Sequence, residues 1–279
     1  MKDIIIDTLI DGLKLLPFLF VTFILMELIE HKFGEKLNNK LKKVKKVGPL
    51  FGSLLGIIPQ CGISASATNF YITRVITLGT LISVYLSTSD EMLPILISHN
   101  VSVVLIIKIL VTKFLCGLVF GFIIDLIFRK KENEDIKDFC EIEDCDCDHG
   151  VIKSSIIHTL KTFAFIIIIS FILNVLMFYF GEEFLSNILM KDNPFGILIS
   201  SIIGLIPNCS SSVLLTELFL NNNISLGQLL SGVLINSGVG LLILIRYNKN
   251  KKENIKIITI LLTIGIIIGF IFDIFNITF

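Results

Sequence analysis

The hexapeptide Gly56-Ile57-Ile58-Pro59-Gln60-Cys61 reappears as Gly204-Leu205-Ile206-Pro207-Asn208-Cys209, 148 residues further along the chain. The same offset pairs Ser64 with Ser212, Thr68 with Thr216, Gly79 with Gly227 and Ser83 with Ser231. It still holds at Lys108 and Lys256, and at Gly117, Gly121, Phe122 and Asp125 against Gly265, Gly269, Phe270 and Asp273. Shared hydrophobicity would not return Pro, Cys, Gly and Asp in place, so the chain reads as an internal duplication.

Each half then repeats one order of parts. A long apolar helix is expected over 13–29 and over 156–180. Two short apolar arms follow around the Pro-x-Cys step, at 47–59 then 62–72, and at 195–207 then 210–220. A full helix over 75–97 or 224–245 comes next, and a last one over 101–128 or 255–275 closes the half. An arm of about twelve residues reaches roughly 18 Å, short of the ~30 Å hydrocarbon core of a bilayer. Pro59 and Pro207 remove a backbone donor and disfavour helix at the residue before them. The two arms are therefore either a re-entrant hairpin or one broken helix that spans.

Composition supplies the solvent. The chain has 279 residues, of which 53% are hydrophobic, with 24 Lys+Arg against 24 Asp+Glu and no net charge. Charged residues are 17%, below the roughly 25% of a soluble domain. That excludes a disordered chain and a nucleic-acid binder recognised by its basicity. Long unbroken apolar runs point to a polytopic membrane protein with the lipid bilayer as partner. Asp3, Asp7 and Asp11 stand where a signal peptide carries basic residues, so none is expected.

Lysine placement separates the two readings of the arms. Seven Lys lie between Lys32 and Lys46, and further basic residues are Arg74, Arg129-Lys130-Lys131 and those between Arg246 and Lys256. Hairpin arms put all of these on one face, which the positive-inside rule makes cytoplasmic. Spanning arms would move Arg74 and 129–131 to the other face. The expected fold is thus all-α, with two inverted-topology repeats at 1–130 and 153–279. A central linker at 131–152 is cytoplasmic, and both chain ends are outside.

Irregular backbone at membrane depth is tolerated only against protein or a wet cavity. Two Pro-x-Cys tips meeting there would present helix N-termini, which favour negative charge and thiolate. The candidate substrate site therefore gathers Cys61, Gln60, Ser64 and Thr68 with Cys209, Asn208 and Ser212. Three acids in apolar surroundings, Asp90, Glu91 and Glu217, join them as cation or proton carriers. The alternatives are packing cysteines at a kink, and structural ion pairs to Arg74, Lys108 or Lys113. Asp125 and Asp273 are expected near the headgroup boundary. In the linker, Cys140, Cys145, Cys147 and His149 form a candidate metal site, although their spacing fits no standard zinc module. The alternative there is a solvated acidic tether. No cofactor is expected beyond a transient metal ion on the linker.

The stretch from Gly56 through Tyr71, then Leu86-Ser87-Thr88-Ser89-Asp90-Glu91 and Pro94-Ile95-Leu96, resembles the bacterial arsenic efflux proteins. These belong with ten-helix heavy-metal exporters, some members of which are labelled manganese transporters, and are distantly similar to organoarsenical permeases. The likeness extends to Gly204–Val213 and to Gly238–Leu242. It implies a secondary-active inner-membrane exporter of a metal or metalloid, such as arsenite or a divalent cation. Two rivals are an organic-anion carrier and a membrane metal sensor that transports nothing. An enzyme is not expected, because neither a nucleophile–base set nor a His-Glu-x-x-His zinc motif occurs.

Overall fold

The structure is a computed structural model that describes residues 8–10, 12–25, 47–89, 91–128, 151–180, 189 and 195–275. Among these residues the regular structure is helical throughout, without strands. The first half runs α1 (Thr8–Leu25), α2 (Gly48–Gly56), α3 (Cys61–Ile72), α4 (Leu78–Ser87), α5 (Met92–Ser98) and α6 (Val103–Phe128). The second runs α7 (Val151–Phe180), α8 (Gly196–Gly204), α9 (Cys209–Leu220), α10 (Leu226–Ile235), α11 (Val239–Tyr247) and α12 (Lys251–Ile274).

The chain is a multi-pass membrane protein. Five stretches are long and apolar enough to cross a bilayer: Thr8–Leu25, Val103–Phe128, Ser155–Val175, Leu226–Tyr247 and Lys251–Ile274. Burial sorts them into layers. The Leu226–Tyr247 window is 94% buried, whereas the other four are 22–35% buried. Among the exposed side chains of α6, Val104, Ile107, Val111, Leu115, Val119 and Ile123 form a stripe at helical spacing. The interior is the more polar side: Ser53, Ser64, Thr68, Asn69, Ser83, Ser200, Ser212, Thr216 and Ser231 are all buried. An apolar outside around a polar inside is what lipid demands, since an unpaired polar group facing hydrocarbon is costly.

Many buried hydroxyls turn back on their own helices. Ser53 donates to Pro49 O, Ser83 to Gly79 O and Thr216 to Ser212 O. Small residues then let helices close up. A Cβ on Gly79 would lie 2.2 Å from the Gly121 carbonyl, and one on Gly227 would lie 2.5 Å from that of Gly269. α4 packs against α2 and α6, and α10 packs against α8 and α12. Across the halves, α3 packs on α11 and α9 on α5. These contacts correspond at the 148-residue offset.

The four short arms have nearly the expected bounds. Around each proline the chain makes a tight i to i+2 turn: Gln60 N–H donates to Ile58 O at 2.8 Å, and Asn208 N–H to Ile206 O at 2.7 Å. α2 has 9 residues and α3 has 12, so neither is long enough to cross alone.

The next elements correct the sequence reading. The full helices expected over 75–97 and 224–245 are each broken. α4 ends at Ser87 and α5 begins at Met92. α10 ends at Ile235, and the chain passes through Asn236 and Ser237 to Gly238 at φ 53°, ψ −138° before α11. Groups freed by the second break find partners within it and in other elements. Asn236 Oδ1 accepts the Gly238 N–H at 2.8 Å, and its Nδ2 donates to Ser211 Oγ at 3.0 Å. The Val233 carbonyl, at the end of α10, receives the fully buried Lys113 ammonium from α6 at 2.9 Å. A cation suits the negative end of a helix.

Candidate functional site

The tips of the two arm pairs meet. Cys61 and Cys209 are the first residues of α3 and α9. Each follows an extended residue, Gln60 or Asn208, whose side chain makes no cap hydrogen bond to its helix. The two sulfurs are 2.9 Å apart. Cys61 is half-buried and Cys209 is buried.

A cavity of about 40 Å³ opens beside the sulfurs, room for roughly three waters. Of the residues expected in the site, Gln60, Cys61, Asn208, Cys209 and Glu91 line it. Thr8, Lys14, Ser170 and Asn174 line it as well, brought by α1 and α7. Asn174 organises one wall. Its Nδ2 donates to Thr8 Oγ1 at 2.9 Å, and its Oδ1 accepts from Asn208 Nδ2 at 2.6 Å and from Ser210 Oγ at 2.5 Å. Asn208 is thereby held at both ends, since its carbonyl also accepts from Asn236 Nδ2 at 3.3 Å.

Other expected site residues lie behind this lining. Ser64 Oγ donates to Cys61 O at 2.9 Å and Ser212 Oγ to Cys209 O at 2.8 Å. Thr68 Oγ1 donates to Ser64 O at 2.7 Å and also lies 2.6 Å from the buried Tyr85 hydroxyl. These three side chains brace the first turns of α3 and α9 and do not line the cavity. Glu217 sits half-buried on α9, also outside the lining. Asp90, Cys140, Cys145, Cys147 and His149 lie outside the described residues. Among the described residues no group of three or more His, Cys, Asp and Glu side chains converges to hold a metal.

Two charged features lie away from the cavity. Arg74, just past α3, makes a two-pronged pair with Glu253 on α12, Nη1 to Oε1 at 2.8 Å and Nη2 to Oε2 at 3.1 Å. Tyr71 also donates to Glu253 Oε1. Asp125 and Asp273 hold helix starts. Asp125 accepts from Gly79 N–H and Thr77 Oγ1, and Asp273 from Gly227 N–H and Ser225 Oγ.

The lining residues missed from sequence were detectable in part. Lys14 and Asn174 are single polar residues inside apolar runs, and such residues face the bundle interior or a wet cavity. Comparison with curated proteins and with solved structures gives no match. A family model described as "Putative, 10TM heavy-metal exporter" matches residues 1–193, which take in the first tip, the linker and α7. With more than half of its length matched, the chain belongs to that family.

Proposed function

We propose that the protein is a secondary-active exporter of a metal or metalloid ion, either a thiophilic one such as arsenite or a divalent heavy metal, or the harder manganese ion, bound where the two tips meet. The observation that carries this reading is the 2.9 Å approach of Cys61 and Cys209 beside a small cavity to which Gln60, Glu91, Asn174 and Asn208 bring polar groups. Thiolates are the soft ligands for thiophilic ions, and imidazole, carboxylate and amide groups are the harder ones. Gln60 and Asn208 would complete the shell, and Glu91 with Asp90 would carry charge or exchange protons. Ser64, Ser212 and Thr68 would keep the helix starts in register, and Glu217 would act from the second arm.

The matching contacts at the 148-residue offset support reading the halves as repeats, and the placement of the basic residues supports inverted topology with the arms as re-entrant hairpins. Alternating access would be a rocking of one set of elements against the other. The basic loops and the linker would face the cytoplasm, where Cys140, Cys145, Cys147 and His149 would deliver the ion, and both chain ends would be outside.

A second reading rests on Lys14. An ammonium and two helix N-termini around one cavity also suit an organic anion. One experiment separates the two. Accumulation of arsenite, manganese and other metals is measured in cells with and without the protein, then with Cys61→Ser/Cys209→Ser. Export of a thiophilic ion that the double variant loses supports the first reading. Transport unchanged in the double variant would sink the thiol site.

A further inference from the structure

We propose that Cys61 and Cys209 form a peroxide-sensitive modification site that closes to a disulfide and locks the two tips together. The sulfurs already approach to 2.9 Å, inside the roughly 3.5–4.0 Å at which even carbon atoms rest in contact. No intervening atom has to leave, and closing to the ~2.05 Å of a disulfide takes a movement of under about an ångström. Both thiols are the first residues of their helices, so the bond would join the two helix starts directly.

Burial divides the labour between them. Both cysteines line the cavity, whose volume admits a molecule the size of hydrogen peroxide, but Cys61 is half-buried whereas Cys209 is 7% exposed. Cys61 is therefore the thiol that meets the oxidant, and Cys209 the one that resolves it. The Cys61 thiolate attacks one peroxide oxygen, the O–O bond breaks, and sulfenic acid forms with release of hydroxide. The Cys209 sulfur then attacks the sulfenic sulfur. An S–S bond forms, the S–O bond breaks, and the departing hydroxide leaves as water with the Cys209 proton. The two electrons lost by the thiols reduce the peroxide.

The consequence for flux rests on the proposed function. The bond ties α3 to α9 and removes both soft ligands, so an exporter working through these tips stops until reduced.

The test uses the full chain in lipid nanodiscs, treated with hydrogen peroxide or dithiothreitol, alkylated, digested and mapped by mass spectrometry. The expected product is a linked peptide joining Cys61 to Cys209 that dithiothreitol removes. In Cys209→Ser, dimedone should trap a sulfenic acid on Cys61. Folded, peroxide-treated protein in which both thiols still alkylate, or in which Cys61 joins only 140, 145 or 147, overturns the site. So does dimedone labelling of Cys209 ahead of Cys61 in wild type. Reconstituted flux is read separately, with its loss on peroxide and recovery on dithiothreitol expected. Linkage without flux of any tested ion in reduced protein overturns the exporter reading and leaves the modification site standing.

Discussion

The Asp125 carboxylate holds the start of a neighbouring helix: Oδ1 accepts the Gly79 N–H at 2.8 Å. Oδ2 accepts Thr77 Oγ1 at 2.8 Å, and Thr77 Oγ1 in turn accepts the Thr80 N–H at 3.2 Å. One acid on α6 thus satisfies donors at the first turn of α4 that its own residues cannot reach. Asp273 does the same for α10, through Gly227 N–H at 3.2 Å and Ser225 Oγ at 3.0 Å. A hydrogen bond to a charged group contributes about 1.5–3 kcal/mol. Asp125→Ala and Asp273→Ala should each lower the thermal midpoint in detergent, and Asn at either place should recover part of it. Unchanged midpoints in both Ala variants would show that the caps carry no stability.

The same helix starts leave no room for a side chain. A Cβ on Gly79 meets the Gly121 carbonyl and the Asp125 carboxylate at 2.2 Å and 2.4 Å. Backbone cannot swing aside as a flexible side chain can, so Gly79→Ala should cost at least the roughly 1–3 kcal/mol typical of overpacking. Gly12→Ala is the control, because its Cβ would meet only Ile167 and Phe163 side chains, at 3.0 Å and beyond. Yields of monodisperse protein should fall sharply for Gly79→Ala and little for Gly12→Ala.

Arg74 occupies a left-handed position, φ 64°, that closes α3, and Asn222 takes the matching place after α9 at φ 59°. Asn tolerates that conformation, whereas Arg does so at a cost of about 1 kcal/mol. The two-pronged bond to Glu253 offsets the cost. Glu253→Gln should therefore destabilise the wild type, while in an Arg74→Asn background the same change should cost much less. A double-mutant cycle by thermal unfolding reads the coupling, expected at about 0.5–3 kcal/mol. Strict additivity would count against the pair.

Gly238 lies where φ is positive and ψ is −138°, a region that a Cβ makes strained by about 1–3 kcal/mol. Gly238→Ala should destabilise the break between α10 and α11 and displace Asn236 from Ser211 and Asn208. Hydrogen exchange across 233–240 should change first, with loss of any flux that the wild type supports. Exchange identical to wild type would show that the break does not depend on this glycine.

Much of the helix plan was legible because its causes are local. Pro59 and Pro207 take a donor out of the backbone wherever the chain goes, so the arms α2, α3, α8 and α9 end near the positions expected. The breaks after Ser87 and after Ile235 were not legible. Thr88-Ser89 and Asn236-Ser237-Gly238 interrupt otherwise apolar runs that would suit a continuous helix, and nothing in them forbids one. The unwinding of the second has distant partners: Lys113 on the Val233 carbonyl, and Ser211 and the Asn208 carbonyl on Asn236.

By itself, then, the sequence determined the solvent, the helical class and the duplicated order of short and long apolar segments, since each follows from composition and backbone covalency. Only the tertiary structure decided that Cys61 touches Cys209, that α1 and α7 bring Lys14 and Asn174 to the same cavity, and that Thr68 meets the Tyr85 hydroxyl. Those facts depend on which surfaces pack together, and packing between segments far apart in the chain leaves no mark on local pattern.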